Sequence, residues 1–139
     1  MGYELEVTMI AEAHKLGLLT TPYVFNVDEG ERMTRAGADI LVVHLGLTTS
    51  GSIGATTAVS LDDCVSLIQA VRDAAVKINP EIIVLCHGGP IASPKDAQYV
   101  LGRTKGVHGF FGASSMERLP VEQAIVDNAK EFKRVTFNQ

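Results

Sequence analysis

The chain has 139 residues, 46% of them hydrophobic and 20% charged, with 12 Lys and Arg against 16 Asp and Glu for a net charge of −4. That is the size and composition of one globular domain with a real core. The scattered basic residues build no positive face for nucleic acid or an anionic membrane. The longest apolar runs, ADILVVHLGL and IIVLC, fall far short of the roughly 20 residues that cross a bilayer.

In chain order, YELEVTMIAEAHKLGLL sets Leu5, Met9, Ile10 and Ala13 at helical spacing, with Gly17 as its stop. TTPYVFN is short, β-branched and aromatic and reads as a strand. DEGERMTRAG reads as a short helix closed by Gly37, and DILVVHL as a second strand. SLDDCVSLIQAVRDAAVKIN is the strongest helix, capped by Ser60 with Asp63 three positions on and ended by Asn79-Pro80. EIIVLCH is a third strand. SPKDAQYVLGRT is a helix with Ser93 as N-cap and Pro94 at its first position. VHGFFGA is a fourth strand and VEQAIVDNAKEFKRV a closing helix.

The order α-β-α-β-α-β-α-β-α, with strands two and three apolar at consecutive positions, predicts a parallel α/β fold. No break in composition divides residues 1–139, so one structural unit is expected. The N-terminus carries early acids and no basic segment of a signal peptide. Cys64 and Cys86 have no metal-binding spacing and suit a reducing, cytoplasmic setting.

Loop chemistry is asymmetric. Connections at one edge, around Gly17, Gly37, Asn79 and Gly106, are short. Those after the strand C-termini are long or unusual: GLTTSGSIGATTAV, HGGP and ASSMERLP. Ligands of parallel α/β proteins bind at that edge. His87 falls at a strand end, and Gly88 and Gly89 allow backbone N–H groups to approach a ligand closely. Gly112, Ser114 and Ser115 suit a phosphate cradle on one short helical turn, SSMER. Equally, Ser114 suits a helix N-cap with Glu117 closing a capping box. Thr48, Thr49 and Ser52 form a hydroxyl-rich segment suited to a lid, without the Lys of a P-loop. His44 and His87 share this edge and are candidates for proton transfer or carbonyl polarisation, although a strand-end histidine is often a hydrogen-bonded core residue. His108 and Asp39 lie at the opposite edge and His14 on a helix surface, all three read as structural. No carboxylate cluster sits at the strand C-termini, so no metal site is expected here.

The strings GADILVVHLGLTTSGSIGATTAVSLDDC, EIIVLCHGGPIASPKDAQYVL and GVHGFFGASSMERLPVEQAI resemble the phosphoenolpyruvate hydrolase-like TIM-barrel family, also called TIM-barrel signal transduction proteins. The family occurs as stand-alone bacterial proteins and as a domain of plant virus-resistance proteins. The resemblance covers essentially the whole chain but only half of the family's barrel. It implies half of a TIM (β/α)8 barrel, strands five to eight, with HGGP after strand seven and GASS after strand eight, where barrels often hold phosphate. It implies an enzyme acting on a small phosphorylated or phosphono carboxylate, in which the histidines read at this edge, His87 and His44, would transfer protons or polarise a carbonyl. Phosphate would be held by Gly88, Gly89, Gly112, Ser114 and Ser115. The cofactor stays open: a divalent cation is a candidate, with no site evident in this half. Four strands cannot close an eight-stranded barrel, so a homo-oligomer or pairing with an N-terminal half-barrel is expected. The alternatives are a flavodoxin-like open sheet for the fold, and a non-catalytic ligand-binding module or an inactive fragment of a larger enzyme for the function.

Overall fold

The computed structural model describes residues 2–46 and 59–135. Their elements run α1 (Tyr3–Lys15), β1 (Tyr23–Val24), α2 (Val27–Arg35), β2 (Ile40–His44), α3 (Leu61–Ile78), β3 (Ile83–His87), α4 (Pro94–Leu101), β4 (Gly109–Phe110) and α5 (Ser114–Lys133). The alternation expected from the sequence is present throughout.

Local chemistry explains the boundaries. Ser60 and Asp63 form a reciprocal capping box at the start of α3, the serine hydroxyl lying 2.6 Å from the Asp63 carboxylate. Pro80 disfavours helical backbone at Asn79, which is extended, and α3 stops at Ile78. A second capping box joins Ser93 to Asp96 behind Pro94 at the head of α4. Asn26 caps α2 by accepting the Glu29 N–H at 2.9 Å.

The four strands form one parallel sheet in the order β1-β2-β3-β4. Register places Tyr23 beside Val42, Val42 beside Leu85, His44 beside His87, and Leu85 beside Gly109. Each strand neighbours its predecessor, and right-handed crossovers of that kind put every connecting helix on the same face. A doubly wound open sheet reverses strand order and carries helices on both faces, so the flavodoxin-like alternative is excluded. The arrangement is four consecutive units of a TIM barrel.

The helix-covered face is the core. Val24, Leu41, Val43, Val84 and Cys86 point to it and meet Met33, Cys64, Ile68, Val71, Ala75 and Val100. The α3 contribution recurs at 64, 68, 71 and 75, one helical stripe. Residues of opposite parity, Tyr23, Ile40, Val42, Ile83 and Leu85, face the other way. Val42 is fully buried there, but Tyr23 is 40% and Ile83 39% exposed. The continuous apolar strands thus have one face under helices and one face open, the side that a closed barrel would fill with its own layers.

Three details differ from the sequence reading. Helix α1 packs Tyr3, Val7 and Ile10 against the core and leaves Leu5 and Met9 exposed. The partly buried stripe therefore keeps Ile10 but takes in Tyr3 and Val7, and it is anchored by the Tyr3 hydroxyl donating to the Tyr23 carbonyl at 3.0 Å. The strands β1 and β4 are two residues each, although ladder bonds from Ile40 to Thr20 and from Phe111 to Cys86 extend the pairing. The segment SSMER is not a separate turn. It opens α5, which runs on through Pro120, and the N-cap is Ala113 with no side-chain cap, so Ser114 does not serve as N-cap of a capping box. Val121, Ile125, Val126 and Phe132 of α5 are all exposed.

Candidate functional site

The C-terminal ends of the strands bring His44 and His87 together. They are register partners on adjacent strands, and alternation aims both at the open face. Their ring centroids are 4.8 Å apart with the planes at 77°. Tyr23 completes the contact, edge-on to His44 at 4.9 Å and parallel to His87 at 5.2 Å. Phe25 lies 5.2 Å from His44, and Phe111 lies 5.6 Å from His87 and 6.4 Å from Tyr23. The two imidazoles are thus walled by three aromatic rings drawn from β1 and from the segments following β1 and β4.

Sequence reasoning missed Tyr23, Phe25 and Phe111. Their signal is parity: 23 and 25 share a face with 42 and 44, and 109 and 111 share a face with 85 and 87. That signal becomes readable only once strand register is known.

Backbone groups fix both histidines. His87 is nearly buried, and its Nδ1 lies 2.6 Å from the Phe111 carbonyl oxygen. The Gly46 N–H donates to His44 Nδ1 at 3.1 Å. Burial first, and the neighbouring His87 second, lower the His44 pKa below the ordinary imidazole value, so His44 favours its neutral form.

The glycines of HGGP shape this edge. Gly88 and Gly89 have φ of +71° and +59°. The Gly89 N–H donates to the Gly46 carbonyl at 2.8 Å, and Leu45 N–H to the His87 carbonyl at 2.9 Å. A Cβ on Gly88 would come within 2.6 Å of the Gly46 carbonyl oxygen, and one on Gly89 would collide with the Leu45 carbonyl. The two glycines therefore let the ends of β2 and β3 touch backbone to backbone. This corrects the expectation that Gly89 offers its amide to a phosphate, because that N–H is already bonded.

Gly112 and Ser115 lie on the same edge, where β4 gives way to α5, and Ser114 is the first residue of that helix. Thr48, Thr49 and Ser52 lie outside the described residues. Among the described residues no group of His, Cys, Asp and Glu is placed to hold a metal ion. Burial pushes the thiols of Cys64 and Cys86 each up to about 11, which keeps both protonated and removes them as nucleophiles at neutral pH.

The opposite edge is structural. The Asp39 carboxylate accepts the Thr20 N–H at 2.8 Å and hydroxyl at 2.9 Å, tying the start of β2 to the approach of β1. His108 Nδ1 accepts the Val84 N–H at 3.1 Å. The His14 ring lies over Gly37, where a Cβ would approach it to 2.7 Å.

The phosphoenolpyruvate hydrolase-like family profile matches residues 1–135. The ToMV susceptible protein tm-1(GCR26) and the ToMV resistance protein Tm-1(GCR237), both of Solanum lycopersicum, are each 65% identical over 137 residues. That span is 99% of this chain but only 18% of either relative. Among solved structures, the N-acetylmannosamine-6-phosphate 2-epimerase from Clostridium perfringens superposes with a TM-score of 0.56 at 16% identity. The match takes in 91% of this chain and 48% of the epimerase, a likeness of fold alone.

Proposed function

Because this chain belongs to the phosphoenolpyruvate hydrolase-like family, we propose that it supplies the proton-transferring and anion-holding part of an enzyme acting on a small phosphorylated or phosphono carboxylate. The observation that carries this reading is the His44–His87 pair, in register at the strand C-termini on the face a barrel turns inward. Imidazoles exchange protons near neutral pH, and an aromatic wall strengthens their electrostatics by thinning the water around them. The anion is met by backbone at Gly88 and Gly112 and by the head of α5 at Ser114 and Ser115, where helix N–H groups favour negative charge. Gly89 drops out of that set. The buried free thiols Cys64 and Cys86 support a cytoplasmic setting. Among the described residues, no helix is long and apolar enough to cross a membrane.

The proposal includes a partner: four further βα units that close the barrel over the open face. The half-length match to the epimerase and the exposure of Tyr23, Phe25, Ile83 and Phe111 support it. Light scattering of the chain alone and mixed with such a half-barrel tests this. A one-to-one complex is expected, and self-association unaffected by the added half would replace it with a homo-oligomer.

The activity is tested by phosphate release from phosphoenolpyruvate. The assembled protein should release phosphate, and His87→Gln should abolish release while leaving the far-ultraviolet circular dichroism unchanged. A second reading, a ligand-binding module without turnover, is favoured by the names of the two tomato relatives, which describe responses to a virus and not a reaction. Tight binding of phosphoenolpyruvate without phosphate release by the assembled protein would select it.

A further inference from the structure

The backbone contacts of the two histidines are of opposite kind. A carbonyl oxygen only accepts, so His87 Nδ1, 2.6 Å from the Phe111 carbonyl, carries a proton. A backbone N–H only donates, so His44 Nδ1, 3.1 Å from the Gly46 nitrogen, is bare. In the neutral ring the second nitrogen is then determined. We propose that the pair is held in opposite tautomers, His87 with a bare Nε2 as the proton acceptor and His44 with a protonated Nε2 as a neutral hydrogen-bond donor, and that the Phe111 carbonyl and the Gly46 amide are the groups that set this division.

The surroundings keep it so. Rotating the His87 ring by half a turn would put a carbon against the Phe111 carbonyl, and Tyr23, stacked parallel to it, restrains the plane. His87 Nε2 is free to accept a proton from a bound molecule while Nδ1–H stays bonded to the Phe111 carbonyl. Protonating His44 would set its new Nδ1–H against the Gly46 N–H and lose that bond, while the nearby His87 disfavours a second charge. Burial and His87 lower the His44 pKa in the same sense. Tyr23 is the other titratable side chain in ring contact with the pair.

The roles follow. His87 Nε2 takes one proton from water and becomes an imidazolium as the water oxygen bonds to phosphorus and the bond from phosphorus to the enol oxygen breaks. The phosphoryl oxygen on which charge builds accepts a hydrogen bond from His44 Nε2–H, which keeps its proton. The imidazolium then gives its proton to the departing enolate oxygen, so both rings end as they began. This part rests on the proposed enzyme reading; the tautomers rest on the geometry alone.

Two measurements test it separately. Long-range 15N–1H spectra of the whole chain at neutral pH, assigned with His44→Gln and His87→Gln, report which ring nitrogen is bare. His87 should show a protonated Nδ1 and bare Nε2, and His44 the reverse. The same tautomer in both rings, or the reversed pair, overturns the proposal whether or not the protein turns anything over. In the assembled protein, His44→Gln should retain part of the phosphate release lost in His44→Ala, because an amide N–H replaces the donor. His87→Gln should be as inactive as His87→Ala, because an amide is not a base. The opposite asymmetry refutes the assigned roles. Correct tautomers in a protein without turnover would leave the geometry standing and sink the enzyme reading.

Discussion

Replacing Gly89 by alanine probes how the site edge is built. Two costs add. At φ of +59° a Cβ crowds its own backbone, which costs about 1–2 kcal/mol. That Cβ also meets the Leu45 carbonyl, a backbone atom that cannot rotate away, and 2.9 Å from it lies the Leu45 Cβ. Overpacking of this kind costs about 1–3 kcal/mol. The sum is roughly 2–5 kcal/mol, against a whole-domain stability of about 5–15 kcal/mol. Gly46→Ala supplies the control: its φ is +98° but, among the described residues, nothing lies within 4 Å of the added carbon, so there it carries only the strain. At about 4 °C per kcal/mol for a domain of this size, Gly89→Ala should melt roughly 4–12 °C below Gly46→Ala. Thermal unfolding followed by far-ultraviolet circular dichroism makes the comparison. Equal melting temperatures would refute the close backbone approach between the ends of β2 and β3, and with it the account of why the Gly89 amide is unavailable to a ligand.

Further outcomes follow from the same structure. Ser60→Ala and Ser93→Ala each remove a capping box and should cost about 1 kcal/mol in urea unfolding. Ile68→Ala empties a fully buried position of α3 and should cost about 2–5 kcal/mol; a value below 1 would mean that α3 does not seat against the sheet as described. The Thr20 N–H, and then its hydroxyl, depress the folded pKa of Asp39 below the ordinary carboxylate value. Its contribution is therefore present above about pH 4 and is lost as pH falls through the folded value. Asp39→Asn should lower stability at neutral pH and flatten the acid limb of the stability curve, and an unchanged acid limb would contradict the Thr20 contact. Cys64 and Cys86 are buried with raised pKa values, so both thiols should resist a thiol reagent at pH 8 until the chain unfolds.

The order of elements was legible because the signals are local. Apolar strands stop at glycine, proline or a capping serine, and α3 repeats its apolar residues at one helical period. The asymmetry of the connections located the edge on which His44 and His87 meet. What escaped depends on contacts between elements. Ile10 can share a stripe with Tyr3 and Val7 as well as it does with Leu5 and Met9, and only the position of the sheet selects between them. Pro120 reads as the end of a loop, yet α5 begins before it. The aromatic wall is spread over three places in the chain, and no spacing rule links 23 and 25 to 111. The two glycines of HGGP point equally to a ligand or to another strand end until the partner of the Gly89 amide is seen.

The most direct test of the account uses the four histidines as reporters of one another. Phosphoenolpyruvate is titrated into the labelled chain while the ring signals of His14, His44, His87 and His108 are followed by nuclear magnetic resonance. The account predicts that His44 and His87 shift together and saturably, while His14 and His108, held at other places by Gly37 and Val84, stay still. Movement of His14 or His108 with the central pair unmoved would place the ligand elsewhere and contradict the assignment of the site to the open face of the sheet.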